Sequence, residues 1–134
     1  MRLLVLILLT CVLRAEAQNV QHLPSLKTRN TTDPVVMQSL FSDSTVTSTF
    51  LWIRDEVRPH YHATHSEHIY VVEGTAQMLL GHQTLFLRPG DLVFIPAGTI
   101  HAVRVTSKEP LKVLSIHTPA HDGSDRVWVE KTGW

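Results

Sequence analysis

The stretch Pro59 to Gly74, reading PHYHATHSEHIYVVEG, restricts the chain more than any other. It holds four of the nine histidines, one central glutamate and an apolar run closed by glycine. Side chains alternate faces along a strand, so His60 and His62, two apart, point the same way in an extended segment. Glu67 comes five residues after His62, which is the wrong parity for one unbroken strand. Ala63 to Ser66 must therefore bend and return Glu67 to the same interior, after which Ile69 and Val71 continue as an apolar wall. A second stretch, Gly90 to His101 (GDLVFIPAGTIH), is its natural partner. There His101 shares a face with Val103 and Val105, and Gly98 lets the chain turn sharply enough to bring that strand alongside. Three imidazoles and a carboxylate then converge inside the fold. Buried without partners such a cluster is costly, and coordination of a metal is what would justify it.

The rest of the chain supports an all-β frame. Thr45 to Arg54 is β-branched, aromatic and alternating. It places Val46, Phe50 and Trp52 on one face and Thr47, Thr49, Leu51 and Ile53 on the other. Further strand segments are His68 to Val72, Ala76 to Leu80, Thr84 to Leu87, Leu92 to Ile95, His101 to Val105, Leu111 to His117 and Val127 to Val129. Glycine and proline turns separate them. Turn signals at intervals of ~8–12 residues, with no helical period, predict a sandwich or barrel.

At the N-terminus, Arg2 precedes an apolar run, Leu3 to Leu13, and then Ala15-Glu16-Ala17. This is the layout of a secretory signal peptide cleaved after Ala17, its apolar run being too short to span a bilayer. The expected organisation is a signal over 1–17, an N-terminal arm over 18–39, a barrel over 40–118 and a tail over 119–134 with a possible last strand. Loss of Arg2, Arg14 and Glu16 leaves ten basic and eleven acidic residues, a balance that offers nothing to a nucleic acid. The single cysteine, Cys11, leaves with the signal, so the mature chain has no disulfide and no thiolate ligand. Any metal is then held by histidine and carboxylate, which suits one divalent transition ion: manganese, iron, cobalt, nickel, copper or zinc. The expected location is periplasmic or extracellular, free of the membrane after cleavage.

Here a family resemblance becomes specific. The chain resembles the cupin superfamily, whose first motif runs Gly, five residues, His-x-His, three or four residues, Glu, six residues, Gly. His60-x-His62, Glu67 and Gly74 fit it, with Arg54 in place of the opening glycine. The second motif runs Gly, five residues, Pro-x-Gly, two residues, His, three residues, Asn. Gly90, Pro96-x-Gly98 and His101 fit it, with Val105 in place of the asparagine. The resemblance covers roughly residues 40 to 118. It implies a double-stranded β-helix, or jelly-roll, barrel. It also implies a single metal held by His60, His62, Glu67 and His101 in a six-coordinate site with positions left open, and a homodimer. Cupins include dioxygenases, oxidases, decarboxylases, isomerases and lyases as well as non-catalytic binding domains, so the fold leaves the reaction open. The leading expectation is a small metalloenzyme, of oxygenase or isomerase type, acting on a small organic molecule. The alternatives are a non-catalytic cupin for sugars or other small ligands, and a metal-sequestering protein.

The other histidines divide by position. His65 falls on the bend and His68 on the outer face. His117 shares parity with Leu111, Val113 and Ser115, so it either faces the cavity beside the ligands or does not. His22, His82 and His121 read as surface loop residues. Phe50 and Trp52 read as core rather than as a platform for substrate, and Arg58 and Arg104 as surface residues. The arm, Val20 to Val36, is a candidate to cover a neighbouring copy's sheet edge.

Overall fold

The computed structural model describes residues 20–29, 31–130 and 133–134. The expected signal, 1–17, lies outside these residues. Among the described residues no helix is long and apolar enough to cross a membrane. Apart from a 3-10 turn at Leu23–Ser25, the regular structure is all strand: β1 (Val35–Ser42), β2 (Thr47–Ile53), β3 (Glu56–His62), β4 (Ser66–Glu73), β5 (Ala76–Leu80), β6 (Gln83–Leu87), β7 (Leu92–Ile95), β8 (His101–Val105), β9 (Leu111–Thr118) and β10 (Arg126–Trp128). They form two five-stranded sheets, β1-β2-β9-β4-β7 and β10-β3-β8-β5-β6. Every neighbouring pair is antiparallel. This is a barrel, as the strand pattern allows, in the jelly-roll form that the cupin resemblance implies.

The register decides what faces inward. In the first sheet Leu111, Val113, Ser115 and His117 of β9 lie opposite Ile53, Leu51, Thr49 and Thr47 of β2. The inward side of β9 thus changes from apolar to polar along its length. Its apolar end joins Ile53, Ile69, Val71, Ala76, Met78, Leu87, Ile95 and Val103 in one buried cluster. Its polar end faces the histidines. Hydrophobic burial therefore closes one half of the barrel and leaves the other half to carry chemistry.

Phe50 and Trp52 are buried, as expected of core aromatics, and meet edge-on with ring centroids 4.7 Å apart. They lie on the outer face of their sheet, opposite in parity to Leu51 and Ile53. The N-terminal segment runs over that face. Its 3-10 turn meets β4, and Lys27 to Arg29 border the same hollow as Trp52. Part of the expected arm is itself strand β1, paired with β2 of the same chain.

One of the two departures from the cupin motifs has a local explanation. Arg54 replaces a glycine where no positive φ is required, and its guanidinium donates to the Thr31 carbonyl at 3.0 Å, holding the N-terminal segment. Nothing in the structure explains valine at 105 in place of the asparagine. By contrast Gly74 is needed as glycine. Its φ is +83°, and a Cβ there would stand 2.9 Å from Leu111 Cα and 3.0 Å from the Pro110 carbonyl oxygen. Both are backbone atoms and cannot rotate away. Gly74→Ala should therefore cost about 2–3 kcal/mol, given ~1–3 kcal/mol for a strained backbone conformation alone. Thermal unfolding would show this as a melting point lower by roughly 10 °C.

Candidate metal centre

The second sheet supplies the histidines. His60 on β3 is directly opposite His101 on β8, and their ring centroids are 4.2 Å apart. Pro59, which has no N–H to give a ladder, sits where the β3–β8 register slips between Val57 and His60. The Gly98 amide donates to the His62 carbonyl at 2.7 Å and ties the loop of the second motif to β3. Glu67 comes from β4 in the facing sheet, opposite His117 of β9. His60, His62, Glu67 and His101 are all buried, at 3%, 2%, 6% and 3% exposure. The bend proposed at Ala63 to Ser66 is the β3–β4 connection.

The rings are oriented by their other nitrogens. His60 Nδ1 lies 2.8 Å from the Arg58 carbonyl, and His101 Nδ1 lies 2.9 Å from the Thr99 carbonyl. A carbonyl only accepts, so each Nδ1 carries the proton and each Nε2 keeps its lone pair. His62 Nδ1 faces Asp125 Oδ1 at 3.2 Å, which turns its Nε2 inward in the same way. One nitrogen from each of the three rings lies within 4.8 Å of the others. Glu67 Oε2 is 3.3 Å from His101 Nε2 and 3.6 Å from His62 Nε2. Donors bound to one ion at ~2.0–2.2 Å stand roughly 3 Å apart, so small adjustments suffice. His101 Nε2 is also one of four buried side-chain polar atoms without a hydrogen-bond partner among the described residues. A buried lone pair of this kind fits a cation well.

His117 faces this centre, which resolves the alternative that its parity left open. Ser115 Oγ donates to Glu67 Oε1 at 2.5 Å, so its oxygen accepts from His117 Nδ1 at 3.2 Å. His117 Nε2 is thereby left 3.4 Å from His62 Nε2 and 3.6 Å from Glu67 Oε1. His68 faces outward against Phe94, and His22 and His82 are exposed, as expected. His121 is different from expectation. It is not a surface loop residue but stacks on His117 at 4.3 Å with its side chain only 9% exposed. Asp125 and Arg126, in the same tail, also had no signal in sequence periodicity. Arg126 pairs with His62 in the β10–β3 register. It lines the small interior cavity of 40 Å³ together with His60, Glu67, His101 and the apolar wall of Leu51, Ile69 and Val113. It also lines an adjoining cleft of 410 Å³ bordered by Met37, Val57, Arg58 and Trp128.

The electrostatics keep His60 and Glu67 in metal-binding form. Burial, helped by the neighbouring His101, pushes His60 down to about 3. Burial likewise pushes His117 down to about 4. For Glu67 burial acts upward, but its close contacts with His101 and His62 outweigh it and hold the carboxyl well below its usual range. Neutral imidazoles and an ionised carboxylate are the protonation states that bind metal.

These shifts have a consequence for the metal-free protein. Between about pH 6.5 and 4 the unfolded chain takes up protons on His60 and His117 that the folded chain refuses. Stability therefore rises with pH across this window and is lost on acidification. Glu67 and Asp125, both lowered, add loss in the same direction at still lower pH. His65 is raised, chiefly by its bond to Asp125. Its contribution is opposite in sign, present below its ordinary pKa and fading above the raised one, and one such group does not offset two buried histidines. Calorimetry of the apo protein should show the melting point falling steadily from pH 7 to pH 4.5, with a flatter profile in His60→Gln.

Known proteins place this site in context. The sequence profile of the family described as Cupin domain matches residues 51–117, half of the chain. An uncharacterized protein of Aquifex aeolicus (strain VF5) is 38% identical over 80 residues, 60% of this chain and 65% of that protein. Quercetin 2,3-dioxygenase of Bacillus subtilis (strain 168) is 40% identical over 53 residues, 40% of this chain and 16% of that enzyme. The chain thus spans less than two thirds of either relative. A crystal structure of a conserved protein with a double-stranded β-helix domain from Klebsiella pneumoniae superposes with a TM-score of 0.73 at 17% identity. That match covers 86% of this chain and all of the other, a likeness of fold alone.

Proposed function

The chain belongs to the Cupin domain family, and from this premise we propose that it is a metal-dependent cupin acting on a small anionic organic molecule. His60, His62, Glu67 and His101 hold one divalent transition ion. The observation that carries this reading is the partnerless, buried Nε2 of His101. It lies beside two other imidazoles and a carboxylate whose orientations are all fixed by the surrounding backbone and side chains. When bound, the ion supplies Lewis acidity or redox chemistry to a coordinated oxygen.

The chain's own residues select and place the organic ligand. Among the described residues Arg126 is the one cationic side chain that lines both the interior cavity and the cleft. Its Nε is buried without a hydrogen-bond partner, and it makes no ion pair among the described residues. A guanidinium so placed matches a carboxylate or enolate, which it can hold through two parallel bonds. Trp128, 47% exposed and against both Arg58 and His60, forms the outer wall. The apolar lining of Leu51, Val57, Ile69 and Val113 excludes water behind the ligand.

Thermal-shift and calorimetric screening of the metal-loaded protein against small carboxylates, phenols and neutral sugars tests this directly. An anionic ligand should bind, and Arg126→Leu should weaken it about 10–100-fold, the size of a charge-assisted hydrogen bond, while metal content is unchanged. Tight binding of neutral sugars that ignores Arg126→Leu would instead make the protein a non-catalytic sugar-binding cupin. Oxygen uptake with each bound ligand then separates an oxygenase from an isomerase. Export under the direction of residues 1–17 and pairing of two copies belong to the same reading. Sedimentation as a monomer at micromolar concentration would remove the pairing.

A further inference from the structure

The imidazoles do not stop at the inner centre. From His62 the rings continue to His117 at 4.8 Å and His121 at 5.0 Å, and from His121 to His65 at 4.8 Å. The series ends at Asp125, in the loop between β9 and β10. Asp125 Oδ1 lies 3.2 Å from His121 Nδ1, and Oδ2 lies 2.5 Å from His65 Nδ1. The Thr64 amide and hydroxyl hold Asp125 Oδ2 at 3.1 and 3.2 Å, which fixes the carboxylate. His65 Nε2 donates to the Ala120 carbonyl at 3.0 Å, so the ring is turned with Nδ1 toward the carboxylate. A metal-ligating histidine is usually oriented in this way, by a backbone carbonyl on its other nitrogen.

We propose that His65, His121 and Asp125 form a second site for a divalent transition ion, outside the buried centre. Three observations carry it. Their donor atoms lie within 4.8 Å of one another, with only 11%, 9% and 10% of the respective side chains exposed. His121 Nδ1 is buried and has no hydrogen-bond partner among the described residues, the same condition as His101 Nε2 in the inner centre. A hydrogen-bonded His65–Asp125 pair would explain His65 but leaves His121 unexplained. The set of two nitrogens and a carboxylate, without sulfur, suits zinc, cobalt, nickel or copper.

Overlap between donor sets fixes the capacity. His60, His62 and His101 share no residue with His65, His121 and Asp125, so both sets can fill together. The intermediate set, His62, His117 and His121, borrows one residue from each and cannot fill as a third. The chain therefore takes two ions, in sites that touch, since Asp125 Oδ1 lies 3.2 Å from both His121 Nδ1 and His62 Nδ1.

Zinc titration of the chelator-stripped protein, by calorimetry with bound metal counted by plasma emission, reads this directly. Wild type should bind two ions per chain. His65→Gln and His101→Ala should each bind one, and the double variant should bind neither with comparable affinity. One ion in wild type that survives His65→Gln and is lost in His101→Ala overturns the second site and leaves the inner one standing. One ion that survives His101→Ala and is lost in His65→Gln does the reverse. Should His65→Gln fail to fold by circular dichroism, His121→Gln replaces it, with the same single ion expected and an unchanged count of two overturning the proposal.

Discussion

His101→Ala should weaken divalent-metal binding at the inner centre by more than ~100-fold while the chain stays folded. Loss of a group that merely orients a ligand typically costs ~10–100-fold in affinity, and His101 is proposed as a ligand itself. It also spans the two sheets, as the partner of His60 across β3–β8 and the nearest imidazole to Glu67. The fold should survive because the apolar cluster, from Ile53 to Val113, lies in the other half of the barrel. Alanine there removes a buried nitrogen that has no hydrogen-bond partner. The variant without metal should consequently melt within a few degrees of the metal-free wild type. Competition titration against a fluorescent chelator, paired with thermal denaturation, separates the two effects. A variant that keeps metal but loses its fold would reverse the assignment and make His101 a structural residue.

Chelation of the loaded wild type should lower its melting point by roughly 10–20 °C. A ligand that binds only the folded state at a thousand times its Kd stabilises by about 4 kcal/mol. For a domain of this size each kcal/mol is worth several degrees. The effect should change little between pH 5 and 7, because His60, pushed down to about 3, and Glu67, held well below its usual range, are already free of protons there. His101→Ala should abolish most of the shift. An equal shift in wild type and His101→Ala would place the stabilising ion at His65, His121 and Asp125 instead.

Much of the barrel could be read from the sequence because its strands are short and its turns are marked. Ala76–Leu80, Leu92–Ile95 and His101–Val105 run between the residues expected, each flanked by glycine or proline turns. The inward parity of His60, His62, Glu67 and His101 was legible for the same reason, since alternation is a local property. Strand β3 was hidden by Pro59, which breaks the strand pattern and is tolerated only at a slip in register. Phe50 and Trp52 were legible as buried but not as outward-facing, because their cover comes from the N-terminal segment. His121, Asp125 and Arg126 carried no periodic signal. They act through contacts with residues some sixty positions away, such as His65 Nδ1 to Asp125 Oδ2 and Arg126 beside His62. Nothing local in a glycine-containing loop announces such contacts.

Anomalous diffraction at the absorption edge of the bound metal, from crystals of the protein loaded with one equivalent, tests the central claim most directly. The strongest peak should lie inside the barrel at bonding distance, ~2.0–2.2 Å, from the Nε2 atoms of His60, His62 and His101 and from a Glu67 oxygen. A barrel interior without a peak, or an ion bonded there to none of Glu67 and His101, would contradict it.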